Sequence, residues 1–122
     1  FAPVEHKGRT IHVGQGNNVF VFPGIGLGAM LAGLREVDDK VFLVAARTLA
    51  DQVAADRLEA GALYPPQSAL RTVSARIAEA VVRYANETAL GSPVPDDAVE
   101  QLVAESMWFP EYVPVDSLER GE

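Results

Sequence analysis

The 122-residue sequence contains no cysteine, which excludes disulfide bonds, thiolate nucleophiles and cysteine-based metal sites. Basic residues are scarce: ten Lys and Arg stand against seventeen Asp and Glu, giving a formal net charge of −7. Because the basic residues form no cluster, we expect neither a nucleic acid nor an anionic membrane as a partner. The longest apolar run is far below the roughly 18 residues of a membrane span.

The composition is that of a globular chain, with 48% apolar residues and a length that suits one domain or part of one. No basic segment followed by an apolar one indicates a signal peptide, so we expect a cytoplasmic location. Many alanines and the excess of arginine over lysine suggest a bacterial source. The chain starts at Phe1 and enters a strand-like pattern at once. We therefore expect a piece of a longer protein.

The first half of the chain predicts a β-hairpin and one buried strand. Residues 2–5 and 9–13 are extended types, and Lys7-Gly8 suits the turn between them. Residues 19–22 are apolar throughout, as in a strand covered on both faces, with Pro23 ending it. A helix over about residues 27–34 follows. One such strand cannot form a sheet alone, so we expect the rest of the sheet upstream.

Helical periodicity dominates the second half of the chain. Asp38 or Asp39 is expected to cap a helix, whose inward face is predicted to be Phe42, Ala45, Ala46, Leu49 and Val53. A short helix over residues 56–60 should stop at Gly61, before an extended connector at residues 63–66.

Two further helices are predicted after this connector. Ser68 should cap the longest helix, with an inward face formed by Leu70, Val73, Ile77, Val81 and Tyr84. Residues 91–95 break it, and Asp96 or Asp97 should cap the last helix. The inward residues of that helix are predicted to be Val99, Leu102, Val103 and Met107. Residues 108–115 are expected to form an irregular tail.

A glycine pattern after the predicted strand has two interpretations. Gly24, Gly26 and Ala29 fit the spacing G-x-G-x-x-G/A of a dinucleotide-binding loop. Pro23 directly before the first glycine disfavours that interpretation. So does the amphipathic helix about 20 residues further on, where a strand ending in an acidic residue is normal. The alternative is close helix–strand packing through Gly26 and Gly28.

The paired amides Asn17 and Asn18 are the leading candidates for ligand contact. Side-chain amides offer both donors and acceptors, which suits a carboxylate, a carboxamide or a ribose hydroxyl. The alternative is an Asx turn that starts the strand.

The remaining polar and aromatic candidates have structural explanations. His6 and His12 are expected to be exposed hairpin residues, and the pairs Asp38-Asp39 and Asp96-Asp97 to serve helix starts. We expect Tyr64 and Trp108 to be packing anchors. The sequence thus predicts no catalytic residue and no metal ligand.

Six short segments, in order along nearly the whole chain, carry a family resemblance. They are Phe1–Val4, Gly14–Asn18, Phe22–Gly28, Leu63–Pro66, Val73-Ser74 with Ile77-Ala78, and Met107-Trp108 with Pro110–Tyr112. Together they resemble the C-terminal part of malic enzymes. The combination of G-Q-G-N-N with F-P-G-x-G-L-G is the most specific part of the match.

The resemblance implies an α/β parent with a Rossmann-like NAD(P)-binding domain. The present chain would be a mostly α-helical piece of it, with a β-hairpin and one buried-type strand. Residues 1–91 would end the NAD(P)-binding domain, and residues 92–122 would be the C-terminal helix and tail.

The resemblance also implies a chemistry. Malic enzymes oxidise L-malate with NAD or NADP and decarboxylate the product to pyruvate with Mg²⁺ or Mn²⁺. By this match Asn17 would contact malate near the nicotinamide, and Asn18 is the neighbouring substrate-binding candidate. The family's catalytic residues, metal ligands and dinucleotide loop would lie upstream. The piece alone should therefore be inactive, bind no cofactor, and form homo-oligomers through exposed apolar surface. The alternative is a stand-alone helical interaction module.

Overall fold

Residues 2–111 of the chain are described by a computed structural model. An N-terminal hairpin pairs β1 (Val4–His6) with β2 (Arg9–Ile11) antiparallel. Lys7 and Gly8 both take positive φ, 50° and 73°, as a tight two-residue hairpin turn requires. The hairpin prediction is confirmed.

Helices form the rest of the fold over residues 12–111. The α-helices are α1 (Phe22–Leu31), α2 (Asp39–Asp51), α3 (Ala55–Glu59), α4 (Leu70–Thr88) and α5 (Val99–Ser106). Two short 3₁₀ turns occupy Asn18–Phe20 and Gln67–Ala69. No helix in the described range has the length and apolar character to cross a membrane.

The predicted strand at residues 19–22 is wrong. These residues form the 3₁₀ turn and the start of α1, which begins five residues earlier than predicted and ends before Gly33. Pro23 lies in the first turn of α1, where its missing N–H costs nothing. Of the apolar run only Phe20 is fully buried, whereas Val19 and Phe22 are 42% and 56% exposed. Without this strand, the inference of missing sheet partners loses its basis and stays a prediction.

α1 packs against α4 through glycine. A Cβ atom placed on Gly24 would lie 2.7 Å from the Cβ of Ile77, and one on Gly28 would lie 2.8 Å from the Cβ of Val81. A Cβ on Gly26 would meet nothing within 4 Å. The packing interpretation was therefore right for Gly28, wrong for Gly26, and incomplete without Gly24. The close packing is between two helices, α1 and α4, and not between a helix and a strand.

α4 is the central element, and the core lies between it, α1 and α2. The main buried cluster consists of Phe20, Ile25, Val41, Ala45, Leu49, Val73, Ile77 and Val81. A second cluster joins α5 to α1 and α4 through Ala32, Val82, Ala85 and Val99. The predicted inward face of α4 is confirmed.

The predicted inward face of α2 is shifted by one residue in its first turn. Val41 is buried in place of Phe42, which is exposed, and Ala46 is exposed as well. Asp38 is the N-cap: its Oδ1 accepts from the Val41 N–H at 3.0 Å. Its other oxygen, Oδ2, accepts from the Tyr84 hydroxyl at 3.1 Å, which ties α2 to α4.

Two predicted caps are wrong. α4 follows a 3₁₀ turn and has Ala69 as its N-cap, so Ser68 lies too early. α5 has Ala98 as its N-cap, so neither Asp96 nor Asp97 caps it. The loop before α5 is instead held by Asn86, whose side-chain amide exchanges hydrogen bonds with the backbone of Val94 at 2.7 and 3.0 Å.

The outcome for the remaining helices is mixed. The short helix prediction is confirmed as α3, and Gly61 follows it at φ 87°. In α5, Val99 and Val103 are buried as predicted. Residues 112–115 of the predicted tail lie outside the described residues.

Candidate functional site

A groove of about 420 Å³ lies beside the first 3₁₀ turn and brings the two predicted site residues together. It is bounded by that turn, by α2 and by the connector before α4. The residues that line it are Gly16, Asn17, Asn18, Val21, Ala46, Leu49, Ala50, Leu63 and Tyr64. Both asparagines therefore line a space that can admit a small ligand.

Asn17 makes the Asx turn that the sequence left as an alternative. Its backbone is extended, and its Oδ1 accepts from the Val19 N–H at 3.0 Å. The turn starts a 3₁₀ helix, however, and not a strand. Within the described residues the Nδ2 amino group donates to no protein atom. The two interpretations are therefore compatible, since Oδ1 serves the turn and two N–H donors remain for a ligand.

The groove combines an apolar wall with neutral polar groups. Val21, Leu49 and Leu63 are apolar, and the polar side chains in the lining are Asn17, Asn18 and Tyr64. No charged side chain of the described range lines this groove. It can therefore orient an oxygen acceptor through N–H donors, whereas a ligand's full charge must be balanced by groups outside this lining.

The Gly14-Gln15-Gly16 loop before Asn17 packs directly on Tyr64. A Cβ atom on Gly16 would lie 3.1 Å from the Tyr64 ring, and one on Gly14 would lie 3.3 Å from the Tyr64 backbone nitrogen. The Gln67 side chain hydrogen-bonds the Gln15 side chain. Both glycines are thus explained by the close approach of Tyr64.

The two predicted packing anchors, Tyr64 and Trp108, differ in their burial. The Tyr64 ring lies 6.0 Å from that of Phe20, centroid to centroid, and packs on the main core, so its anchoring role is confirmed. Trp108 is 75% exposed, so its predicted anchoring role is wrong. Its backbone carbonyl instead accepts from the Arg71 guanidinium at 3.1 Å.

The titratable candidates form no metal centre. His6 and His12 are exposed, as predicted. No group of three or more His, Asp or Glu within residues 2–111 could hold a metal ion. Tyr84 has a raised pKa because partial burial disfavours its charged form and because its hydroxyl donates to Asp38. The described residues thus do not fit the Mg²⁺ or Mn²⁺ site of the resembling family.

The glycines after Pro23 do not form a dinucleotide loop. Gly24, Gly26 and Gly28 all lie inside α1, and none of them has positive φ. α4 packs directly against Gly24 and Gly28, which leaves no room for a ligand there. The backbone N–H groups that would cradle a pyrophosphate are not presented in a strand-to-helix turn here. The pyrophosphate interpretation is therefore wrong for this segment.

Comparison with known families decides which enzyme class contains such a segment. A family model described as "Malic enzyme, NAD binding domain" matches residues 1–86. This chain belongs to the malic enzyme family. The match begins at the hairpin, includes Asn17, Asn18 and Tyr64, and ends within α4. The malic enzyme resemblance is confirmed, and with it the Rossmann-like NAD-binding domain as the setting of this mostly helical segment.

Curated relatives support the same assignment. The maize (Zea mays) NADP-dependent malic enzyme, chloroplastic, is 43% identical over 102 residues, which cover 82% of this chain and 16% of the relative. The human NADP-dependent malic enzyme is 43% identical over 108 residues, covering 87% of the chain and 19% of the relative. The mouse NADP-dependent malic enzyme, mitochondrial, is 44% identical over 107 residues, covering 86% of the chain and 18% of the relative. The malic enzyme chain described here thus spans less than a fifth of these relatives.

Sequence reasoning missed the support of the groove in this malic enzyme segment. Arg57 of α3 donates from Nε and Nη2 to the carbonyl oxygen of Tyr64, at 3.2 and 3.1 Å. Gln67 contacts Gln15 across 52 residues of sequence. Neither contact follows a local period. The only advance signal was the pair of glycines flanking Gln15, which indicates a close approach without naming the partner.

Proposed function

We propose that this chain is part of a malic enzyme, in which it forms one wall of the L-malate site through Asn17. The enzyme oxidises L-malate with NAD(P) and decarboxylates the product to pyruvate and CO₂. The observation that carries the proposal is the Asn17 side chain. Its Oδ1 accepts from the Val19 N–H at 3.0 Å, its two N–H donors remain available to a ligand, and the residue lines a groove of about 420 Å³.

The chemistry of malate fits this arrangement. Malate presents carboxylate and hydroxyl oxygens, and each can accept from an amide N–H. A donor whose position is already set by the Asx turn loses little conformational freedom on binding. Asn18 lines the same groove and is the second substrate contact in the proposal. Asn17 also offers its amide to the nicotinamide side of the cofactor.

The rest of the enzyme supplies the other groups in this proposal. Hydride transfer and decarboxylation need acid–base groups, a metal and a nicotinamide held in one geometry. The ligands of Mg²⁺ or Mn²⁺ and the glycine loop that holds the dinucleotide would lie outside the described residues. The maize and human relatives are NADP-dependent malic enzymes, which favours NADP over NAD. The isolated chain is accordingly proposed to be inactive.

Assembly and location belong to the proposal as well. Exposed apolar residues of α1 and its neighbouring turn support homo-oligomer formation. A cytoplasmic location and a bacterial source are proposed from the sequence alone, whereas the names of the relatives include chloroplastic and mitochondrial forms.

The experiment compares Asn17→Ala with Asn18→Ala in the enzyme that contains this chain. Reduced nicotinamide is followed by absorbance with L-malate, Mn²⁺ and NADP or NAD. A lost hydrogen bond to a charged ligand is worth roughly 1.5–3 kcal/mol, so Asn17→Ala should lower kcat/KM for malate by about 10- to 100-fold. Asn18→Ala should have the smaller effect. Unchanged kinetics in Asn17→Ala would remove Asn17 from the malate site.

The alternative function is a stand-alone helical interaction module. It is supported by α1, which carries no charged residue and still exposes Phe22 and Met30. The intact mass of the natural protein separates the two functions. A mass near 13.1 kDa favours the module, and a mass several times larger favours the enzyme.

A further inference from the structure

We propose that Arg57 is a positioning residue for the malate site, acting on Asn17 through Tyr64. The inference rests on the proposed contact between Asn17 and malate. Arg57 itself does not line the groove. Its influence passes through two contacts, from its guanidinium to the Tyr64 backbone and from the Tyr64 ring to the loop that carries Asn17.

The first contact joins Arg57 of α3 to the backbone of Tyr64 in the connector before α4. Both Nε and Nη2 of Arg57 donate to the Tyr64 carbonyl oxygen, at 3.2 and 3.1 Å. The Arg57 backbone carbonyl accepts from the Ala62 N–H at 2.9 Å in the same turn. Between them Gly61 takes φ 87°, so the chain reverses sharply there. Because one planar group makes both donations, the guanidinium fixes the direction as well as the distance of the Tyr64 backbone.

The second contact places Tyr64 against the site loop. Gly16, the residue before Asn17, has so little room that a Cβ would stand 3.1 Å from the Tyr64 ring. The ring also packs against that of Phe20, 6.0 Å away between centroids, and Phe20 directly follows Val19, whose N–H donates to Asn17. Any shift of Tyr64 therefore displaces both ends of the segment that presents the Asn17 amide.

Two other hydrogen bonds hold the loop before Asn17 against residues 60–67, but neither acts on Tyr64. The His12 N–H donates to the Ala60 carbonyl at 2.8 Å, and Gln67 holds Gln15. Ala60 and Gln67 lie before and after Tyr64 in the sequence. Only the Arg57 pair acts on the Tyr64 backbone itself among the described side chains. Loss of the guanidinium should loosen the loop without unfolding α4 or the main core.

The kinetic experiment is a double-mutant cycle in the enzyme that contains this chain. Arg57→Met removes both donors, and Arg57→Lys keeps a single ammonium donor. Removing one hydrogen-bonded contact is expected to raise KM for malate about two- to tenfold, with KM for NAD(P) unchanged. Arg57→Lys should lie between wild type and Arg57→Met. Arg47→Met, an exposed arginine of α2 outside the groove lining, should match wild type.

The cycle separates positioning from general stability. In the Asn17→Ala background, Arg57→Met should have no further effect on KM for malate, because the group that it positions is gone. The same two- to tenfold rise in both backgrounds would overturn the inference and leave Arg57 with a structural role only.

A second readout needs no activity. In the enzyme that contains this chain, hydrogen exchange of the Val19 N–H reports the bond to Asn17 Oδ1. Arg57→Met should accelerate it relative to the N–H groups of Ile77 and Val81 in α4, and Arg47→Met should not. If Asn17→Ala leaves malate kinetics unchanged while Val19 exchange responds to Arg57→Met, the proposed function fails and the positioning contact stands. Unchanged Val19 exchange in Arg57→Met overturns the inference.

Discussion

Gly28 of α1 lies directly against Val81 of α4, so that a Cβ atom on the glycine would stand 2.8 Å from the Cβ of the valine. One turn earlier Gly24 meets Ile77 in the same way, at 2.7 Å. These two glycines set the distance between α1 and α4. Gly26 lies between them in sequence but faces open space.

The first prediction compares Gly28→Ala with Gly26→Ala. Gly28→Ala should destabilise the chain by about 1–3 kcal/mol, because the added methyl group forces α1 away from Val81 and from the Ala78 carbonyl. Gly26→Ala should be stabilising by about 0.5–1 kcal/mol, since the helix gains a better former and no contact is crowded. Denaturant unfolding followed by circular dichroism measures both. Equal effects of the two substitutions would refute the glycine contact between α1 and α4.

The second prediction concerns alkaline pH. The folded chain holds the pKa of Tyr84 above its ordinary value through partial burial and the bond to Asp38. Folding then favours the protonated phenol. This stabilisation is fully present below the unfolded pKa of about 10 and is lost as pH rises through the folded pKa.

The measurement for Tyr84 is the free energy of unfolding of wild type and of Tyr84→Phe across neutral and alkaline pH. The difference between the two proteins should be constant at neutral pH and should shrink above pH of about 10. A difference that stays the same at alkaline pH would contradict the role assigned to the Tyr84–Asp38 bond.

The third prediction concerns self-association of the 122-residue chain. α1 contains no charged residue, and Phe22, Gly26 and Met30 form an exposed stripe at spacings of four residues. Met30 is 81% exposed. Helices that are apolar on all sides are normally buried, so this stripe should drive association.

Light scattering over a concentration series tests the stripe. Wild type should gain mass with concentration, and Phe22→Ser combined with Met30→Lys should reduce that gain. Leu58→Ser on α3 removes an exposed apolar side chain elsewhere and should leave it unchanged. A wild-type monomer at every concentration would be evidence against association through α1.

Local signals explain the parts of the fold that the sequence predicted correctly. The hairpin follows from Lys7-Gly8, since both turn residues must take positive φ. The inward face of α4 follows from a period sustained over five turns. In α2 one helical pattern of apolar residues starts at Val41 and another starts at Phe42, and both patterns include Ala45 and Leu49. Only the neighbouring helix decides which of the first two residues is buried.

The strand error has a physical cause. Four apolar residues before a proline fit the end of a strand, but they fit the start of a helix equally well, because proline is favoured in the first turn. Burial of Phe20 alone, with Val19 and Phe22 exposed, could not be read from residue types. It depends on where α4 lies, which is not encoded in the local period.

The site was half predictable. Asn17 was predicted from amide chemistry and from the family resemblance, and it lines the groove, while its contact with malate stays a prediction. The support from Tyr64 and Arg57 was not found, because Tyr64 contacts Gly16 across 48 positions and through a ring packed on the core. Such contacts exist only once the connector and the loop have been brought together by the fold.

The most direct test of the central claim is Asn17→Asp in the enzyme that contains this chain. Aspartate keeps an oxygen for the Val19 N–H, so the turn is retained, but it replaces the two N–H donors with a charged acceptor that repels malate. The melting temperature should match wild type, and kcat/KM for malate should fall by at least about tenfold. A native melting temperature with unchanged kcat/KM would show that Asn17 serves the turn alone.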